Sequence, residues 1–210
     1  MTRHLALLSL LLGVGCAASL AAASPARAQS AVRFLEQRHE RLNTILRQPA
    51  SSARAQERRT GQIRDVLGDL LDYEAVSRTA LGDHWDEHSD QERQEFMTIL
   101  EQLVRRNYER NLERTLEYEV RYDREEQDGE LTVVHTVARS RTQRRQPPVE
   151  IVYTLRREGR AWKVVDVATD GVSMVRTYRR QFHRIIVRDG WSELISRMQR
   201  RLAADDDDDG

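Results

Sequence analysis

The chain has one cysteine, Cys16, and one lysine, Lys163, among 210 residues. Cys16 lies in the N-terminal apolar segment, so the body that follows has no thiol to form a disulfide. About 180 residues remain beyond that segment, enough to be held by a hydrophobic core alone. There is no excess charge of either sign: 34 basic residues balance 34 acidic ones. An even mixture argues against a dedicated nucleic-acid protein, which carries a basic excess on one face. No G-x-S-x-G elbow, Walker loop, C-x-x-C pair or H-E-x-x-H helix occurs, so none of the short catalytic signatures is present. There is no internal repeat.

Residues 1–28 read as an export signal. Arg3 and His4 form a weakly basic start, Leu5 to Ala23 is apolar, and Ala26-Arg27-Ala28 fits a small-x-small cleavage site. Cleavage there starts the mature chain at Gln29 and removes Cys16. The alternatives are an N-terminal membrane anchor and a lipoprotein lipidated at Cys16. Leu12-Gly13-Val14-Gly15-Cys16 fits the latter poorly, because a large aliphatic residue is wanted three places before the cysteine. At the other end, Asp205 to Asp209 is a like-charge run, so 205–210 is expected to be an unordered acidic tail.

Between them, 29–204 reads as one body. A first helix over 30–47 places Val32, Leu35, Leu42, Ile45 and Leu46 near one face, and Pro49 ends it. Ser51 or Ser52 caps a second helix through Leu71, and Asp72 caps a short third over Tyr73 to Ala80, closed by Gly82. Ser89 to Glu92 is a capping box. It opens a long helix to about residue 116, with a break near Asn107 or Asn111 left open. From Glu117 the period changes to two. Tyr118, Val120 and Tyr122 alternate with charged residues, Leu131 to Arg139 is β-branched, Val149 to Leu155 alternates, and Ala161 to Thr169 follows a tight turn at Glu158-Gly159. Helices after Gly171 and Gly190 complete the chain to about residue 202. Helical 30–116, sheet 117–169 and C-terminal helices 172–202 together make an α+β protein with an antiparallel meander of four strands.

Individual polar residues carry weak signals. His84 and His88 lie near Asp83, Asp86 and Asp90, but Gly82 and the cap at Ser89 interrupt any regular helix there, so no metal site is read. Neither is any cofactor. The basic run Arg139 to Arg145 is a solvated hairpin loop or a landing patch for an anionic lipid or an acidic partner. Trp85 is either an anchor for its turn or a lip of a pocket. Ser173 reads as a helix cap. Arg179 and Arg180 are either solvated or aimed at a phosphate or a partner.

Two stretches, DYEAVSRTALGDHWDEHSDQERQEF (72–96) and DVATDGVSMVRTYRRQF (166–182), together resemble the MlaC or toluene-tolerance family. The matching points are Tyr73, Leu81-Gly82, Trp85, Ser89 to Phe96, Asp166, Gly171-Val172-Ser173, Tyr178-Arg179 and Gln181-Phe182. The resemblance implies a curved antiparallel sheet with helices packed over it, of the NTF2-like kind. It also implies a deep apolar pocket for phospholipid acyl chains. The residues expected to line it are Leu100, Val104, Tyr108, Tyr118, Val120, Val134, Ile151, Tyr153, Val167, Val172, Val175 and Phe182. The implied role is a periplasmic carrier that moves phospholipid between an outer-membrane lipoprotein or porin complex and an inner-membrane ABC transporter complex, with no covalent step. Another membrane lipid is open as ligand, since some family members are linked to hopanoid metabolism. The basic 139–145 run and the acidic tail depart from the family pattern.

Two other classes stay open. A cone-like α+β fold with an apolar pocket also suits isomerases and hydratases of the ketosteroid-isomerase type. Those need an acid or base in the pocket, and the candidates are Asp166, Asp170 and His135. The other class is a periplasmic interaction module with a solid core.

Overall fold

The computed structural model describes residues 29–159 and 161–207; within them, the side chains of 108–114 and 205–207 are not described. The proposed signal segment lies outside these residues. The helices are α1 (Ala31–Leu46), α2 (Ala53–Leu70), α3 (Tyr73–Leu81), α4 (Asp90–Thr115), α5 (Met174–Asp189) and α6 (Trp191–Asp207), with a 3-10 turn over Gly82–Glu87. The strands are β1 (Tyr118–Asp128), β2 (Leu131–Ser140), β3 (Val149–Glu158), β4 (Ala161–Thr169) and β5 (Val172–Ser173).

Helix starts follow from local chemistry. Ser30 Oγ accepts from Arg33 N at 3.2 Å, Ser52 Oγ from Ala55 N at 3.3 Å and Asp72 Oδ1 from Ala75 N at 2.9 Å. Each satisfies a donor that the first helical turn leaves open. The capping box is reciprocal: Ser89 N donates to Glu92 Oε2 at 2.8 Å while Glu92 N donates to Ser89 Oγ at 3.3 Å. α4 runs unbroken past Asn107 and Asn111 to Thr115. α6 carries its backbone through Asp207. That is three residues into the run for which the sequence predicts no order, and residues 208–210 lie outside the described residues.

The sheet is a meander in the order β1-β2-β3-β4-β5, antiparallel throughout. Four strands are expected from the sequence; the fifth is a two-residue return. Thr169 pairs with Val172 across Asp170-Gly171, whose φ values are 46° and 77°. Positive φ at both central residues is the geometry of a type I′ hairpin, and Asp-Gly is the pair that tolerates it. The register shifts at Tyr122/Arg124 and Thr154/Leu155 are the kind of irregularity that bends and twists a strand, which curves the sheet around its inner face.

That inner face divides in two. On the β4 side, Val134, Leu155, Trp162 and Val164 are buried in one core with Val66, Leu67 and Val76 of α2 and α3, Phe96 and Leu100 of α4, Val175 of α5 and Leu194 of α6. On the β1 side the cover is chiefly α1, with the ends of α2 and α4 beside it, and α1 is tied at its start. Trp162 Nε1 donates to the Gln29 carbonyl at 2.7 Å and Val32 N donates to Glu125 Oε2 at 3.0 Å.

The two family-matching stretches meet at α5. Asp166 Oδ1 accepts from Val167 N at 2.8 Å and Val175 N at 3.1 Å, and Oδ2 accepts from Ser173 Oγ at 2.5 Å. Ser173 in turn caps α5 by accepting from Arg176 N at 3.0 Å. Farther along, Phe182 meets Phe96 edge to face with centroids 5.5 Å apart. Arg179 lies over Gly82, where a Cβ would sit 2.6 Å from its Nε and the φ of 57° also calls for glycine.

Replacing Asp166 by Ala removes an acceptor from all three donors and is expected to cost about 3 kcal/mol in urea unfolding, with Ser173→Ala costing about 1 kcal/mol. An Asp166→Ala protein as stable as the parent removes this junction from the account of the fold.

Candidate functional site

The hollow side of the sheet holds a cavity of about 310 Å³. Its sheet wall is Tyr118, Val120 and Tyr122 of β1, Ala138 of β2, and Val149, Ile151 and Tyr153 of β3. Alternation puts all of these on one face, and the register sets them in rows. Val120 lies opposite Ala138, and Ala138 opposite Val149. A methyl group between two valines leaves the centre of that row low. The next row is Tyr122, Thr136 and Ile151. Thr136 is buried and its hydroxyl donates to the Ile151 carbonyl at 2.8 Å, so its polar atom is spent on the sheet.

The opposite wall is α1. Leu35, Arg38, His39 and Leu42 line the cavity at i, i+3, i+4 and i+7, one face of a helix. Leu70 at the end of α2 and Thr115 at the end of α4 complete the lining. Among the described residues, its charged and titratable members other than tyrosine are both on α1. Nδ1 of His39 lies 3.4 Å from the Tyr122 hydroxyl, and burial holds the imidazole below its ordinary value of 6.5.

Of the residues expected to line a pocket, Tyr118, Val120, Ile151 and Tyr153 are brought together here. Leu100, Val104, Val134, Val175 and Phe182 are instead buried in the filled half. Val167 is half-buried against that same core. These residues face inward as their periodicity requires, but helices α3 to α6 already occupy the space they face. Val172, expected to roof the pocket, is 59% exposed, while its neighbour Ser173 is buried. Successive residues of a strand point to opposite faces, and β5 turns the serine inward. The side chain of Tyr108 lies outside those described.

Sequence reasoning missed the α1 wall. The signal was present: Arg38 and His39 interrupt an otherwise apolar stripe running from Ala31 and Leu35 to Leu42 and Leu46. Tyr122 and Val149 continue alternations already read as inward.

The candidate acids and bases lie elsewhere. Asp166 is the helix junction described above. Asp170 Oδ1 accepts from Glu150 N at 3.0 Å. His135 lies between Glu126, at 2.9 Å, and Glu150, at 3.6 Å, on the sheet face opposite Val134 and Thr136. None of the three lines the cavity. His84 spans Glu87 at 2.8 Å and His183 at 3.0 Å, and His88 stacks on Trp191. Among the described residues no cluster of three or more His, Cys, Asp or Glu is arranged to hold a metal. Trp85 is a buried anchor, with Arg93 Nε donating to its carbonyl at 2.8 Å and the Arg78 and Arg93 guanidiniums 5.8 and 5.3 Å from its ring.

The fold thus sets a curved sheet opposite α1 across a largely apolar hollow. The chain matches the model of the MlaC protein family over residues 36–200 and belongs to that family. Among solved structures it is similar to the phospholipid-binding protein from Ralstonia solanacearum, determined in complex with a phospholipid. Identity is 18%, the alignment covers 84% of this chain and 99% of that one, and the TM-score is 0.69. At that identity the likeness is one of fold. No curated protein matches the chain.

The depressed His39 fixes the sign of one pH effect. Below about pH 6.5 the unfolded chain takes up this proton before the folded one does, so stability falls as pH drops toward the lowered folded value. Urea midpoints for wild type and His39→Gln, compared between about pH 7 and pH 5, should show the smaller acid loss in the variant. Equal losses in the two proteins remove the burial argument.

Proposed function

We propose that this protein is a periplasmic phospholipid carrier, taking acyl chain into the cavity between α1 and β1–β3. The carrying observation is the cavity itself, about 310 Å³ walled mainly by aliphatic and aromatic side chains. Membership of the MlaC family and a neighbour solved with phospholipid support the same reading. A hydrocarbon cargo needs no charged clamp. Burial of one methylene contributes about 0.8 kcal/mol, so a sixteen-carbon chain contributes roughly 12 kcal/mol before ordering costs, an affinity near nanomolar.

The volume is at the lower end for a ligand pocket. Taking up two chains therefore requires the wall to yield. α1 is suited to that, because the short hydrogen bonds that tie it to the sheet lie at its start, at Gln29 just before it and at Val32, while farther along His39 Nδ1 stands at the longer distance of 3.4 Å from the Tyr122 hydroxyl. The placement of Asp166, Asp170 and His135 away from the cavity favours binding and hand-over above isomerase or hydratase chemistry. The export-signal reading of residues 1–28 and the family support a route through the periplasm, between an outer-membrane lipoprotein or porin complex and an inner-membrane ABC transporter complex.

Protein purified from cells is expected to yield phospholipid on organic extraction and mass spectrometry. Ala138→Phe fills the low centre of the wall and should reduce bound lipid severalfold at an unchanged or higher melting temperature. Val172→Glu, at an exposed position, should change neither. A wild-type protein that carries no lipid and takes up no fluorescent phospholipid overturns the carrier reading.

A further inference from the structure

Arg38 is out of character with the wall it belongs to. It stands between Leu35 and Leu42 on the stripe of α1 that faces the cavity, where an aliphatic residue would complete the lining. Its Nε is buried and has no hydrogen-bond acceptor. The acid it pairs with, Asp69, stands 3.7 Å from Nη2 and is 67% exposed. That is a loose surface ion pair, beyond hydrogen-bond reach. The guanidinium also lies over the buried Phe34 ring, its carbon 5.2 Å from the centre, a weak contact that orients it and that a phosphate can displace. The side chain lines the cavity and is also 31% exposed, so it borders both the hollow and solvent. A donor fixed at the border of an apolar hollow, with one N–H out of water and unmatched, is a site awaiting an oxyanion.

We propose that Arg38 recognises phosphate, donating Nε–H and an adjacent Nη–H to two oxygens of the lipid headgroup's phosphate while the chains lie on the tyrosine and valine wall. This rests on the carrier reading above and assigns that site its headgroup chemistry. A planar guanidinium matches two oxygens of one phosphate in fork geometry and stays charged at any physiological pH. A lipid without phosphate, such as a diacylglycerol or a polycyclic hydrocarbon, leaves Nε as it is now. Arg38 thereby makes the container selective among lipids whose apolar parts are alike.

The test uses delipidated full-length protein and three probes: phosphatidylethanolamine, a diacylglycerol with the same chains, and inorganic phosphate. Phosphatidylethanolamine is zwitterionic, so it reports phosphate recognition and not net charge. Wild type should bind it at least about tenfold more tightly than the diacylglycerol. Arg38→Met should abolish that difference by lowering phospholipid affinity about tenfold while leaving diacylglycerol within about twofold. Arg38→Lys, a point charge on a similar stem, should restore only part of the preference. Asp69→Asn should retain it. Thermal melts of each variant without lipid separate recognition from folding, and the lysine variant supplies the comparison if Arg38→Met does not fold. Equal loss of both lipids in Arg38→Met overturns the proposal and makes Arg38 a piece of wall. Unchanged binding of both overturns it as well. An Arg38-dependent rise in melting temperature with inorganic phosphate alone assigns the site to free phosphate and overturns the headgroup assignment. Wild-type binding of diacylglycerol without preference for the phospholipid overturns this inference and leaves the carrier reading standing. Wild-type binding of neither lipid removes both.

Discussion

Three donors converge on one carboxylate at Asp166, two of them from the segment that opens α5. The hairpin at Asp170-Gly171 reverses the chain, and the carboxylate then fixes the first turn of α5 to the strand the chain has just left. The direction of α5 follows from that attachment. It brings Phe182 onto Phe96 and Arg179 onto Gly82, so α3, α4 and α5 close over β4. α6 packs on α4 and α5 behind them. A sheet helix-covered to this depth on one side of its inner face has little helix left for the other. The hollow between α1 and β1–β3 is what remains of a face whose remaining cover went elsewhere.

The two halves obey different packing rules. In the filled half, Leu155, Val164, Val134 and Phe96 lose all or nearly all solvent contact, as a close-packed interior demands. In the hollow half, the aromatic rings of Tyr118, Tyr122 and Tyr153 stand around a low point at Ala138, and nothing larger fills it. Register shifts that leave Asp123 of β1 and Val165 of β4 unpaired bend those strands. Curvature, a small central residue and a single-helix wall act together, and each alone would leave a solid core or a flat surface.

Much of this was legible along the chain. Capping residues at Ser52, Asp72 and Ser89 mark helix starts because the side-chain oxygen and the open N–H lie within three residues of each other. Strand alternation placed Tyr118, Val120, Ile151 and Tyr153 on the inner face because a period of two is a local property. Which inward residue meets a void and which meets a helix is not local. Leu100, Val104, Val175 and Phe182 share the same apolar pattern as the wall, and only the course of α5 decides that they are core. The segments that carry the family resemblance, 72–96 and 166–182, are the joint of the filled half, so they do not themselves mark the cavity. The cavity wall on α1 was written as a polar flaw in an apolar stripe, Arg38-His39, and such a flaw has no meaning until its surroundings are known.

The composition of the wall also decides what can happen to a damaged cargo. Lipids oxidise to aldehydes and enals, which attach to thiols, amines and imidazoles. The cavity lining has no cysteine and no lysine, and Lys163 Nζ is occupied by the Gly68 carbonyl at 3.2 Å. One imidazole is left among the described lining residues, that of His39, whose Nδ1 faces the Tyr122 hydroxyl and whose pKa burial lowers. On the carrier reading, His39 is thus the one imidazole that an oxidised lipid would meet among the described lining residues.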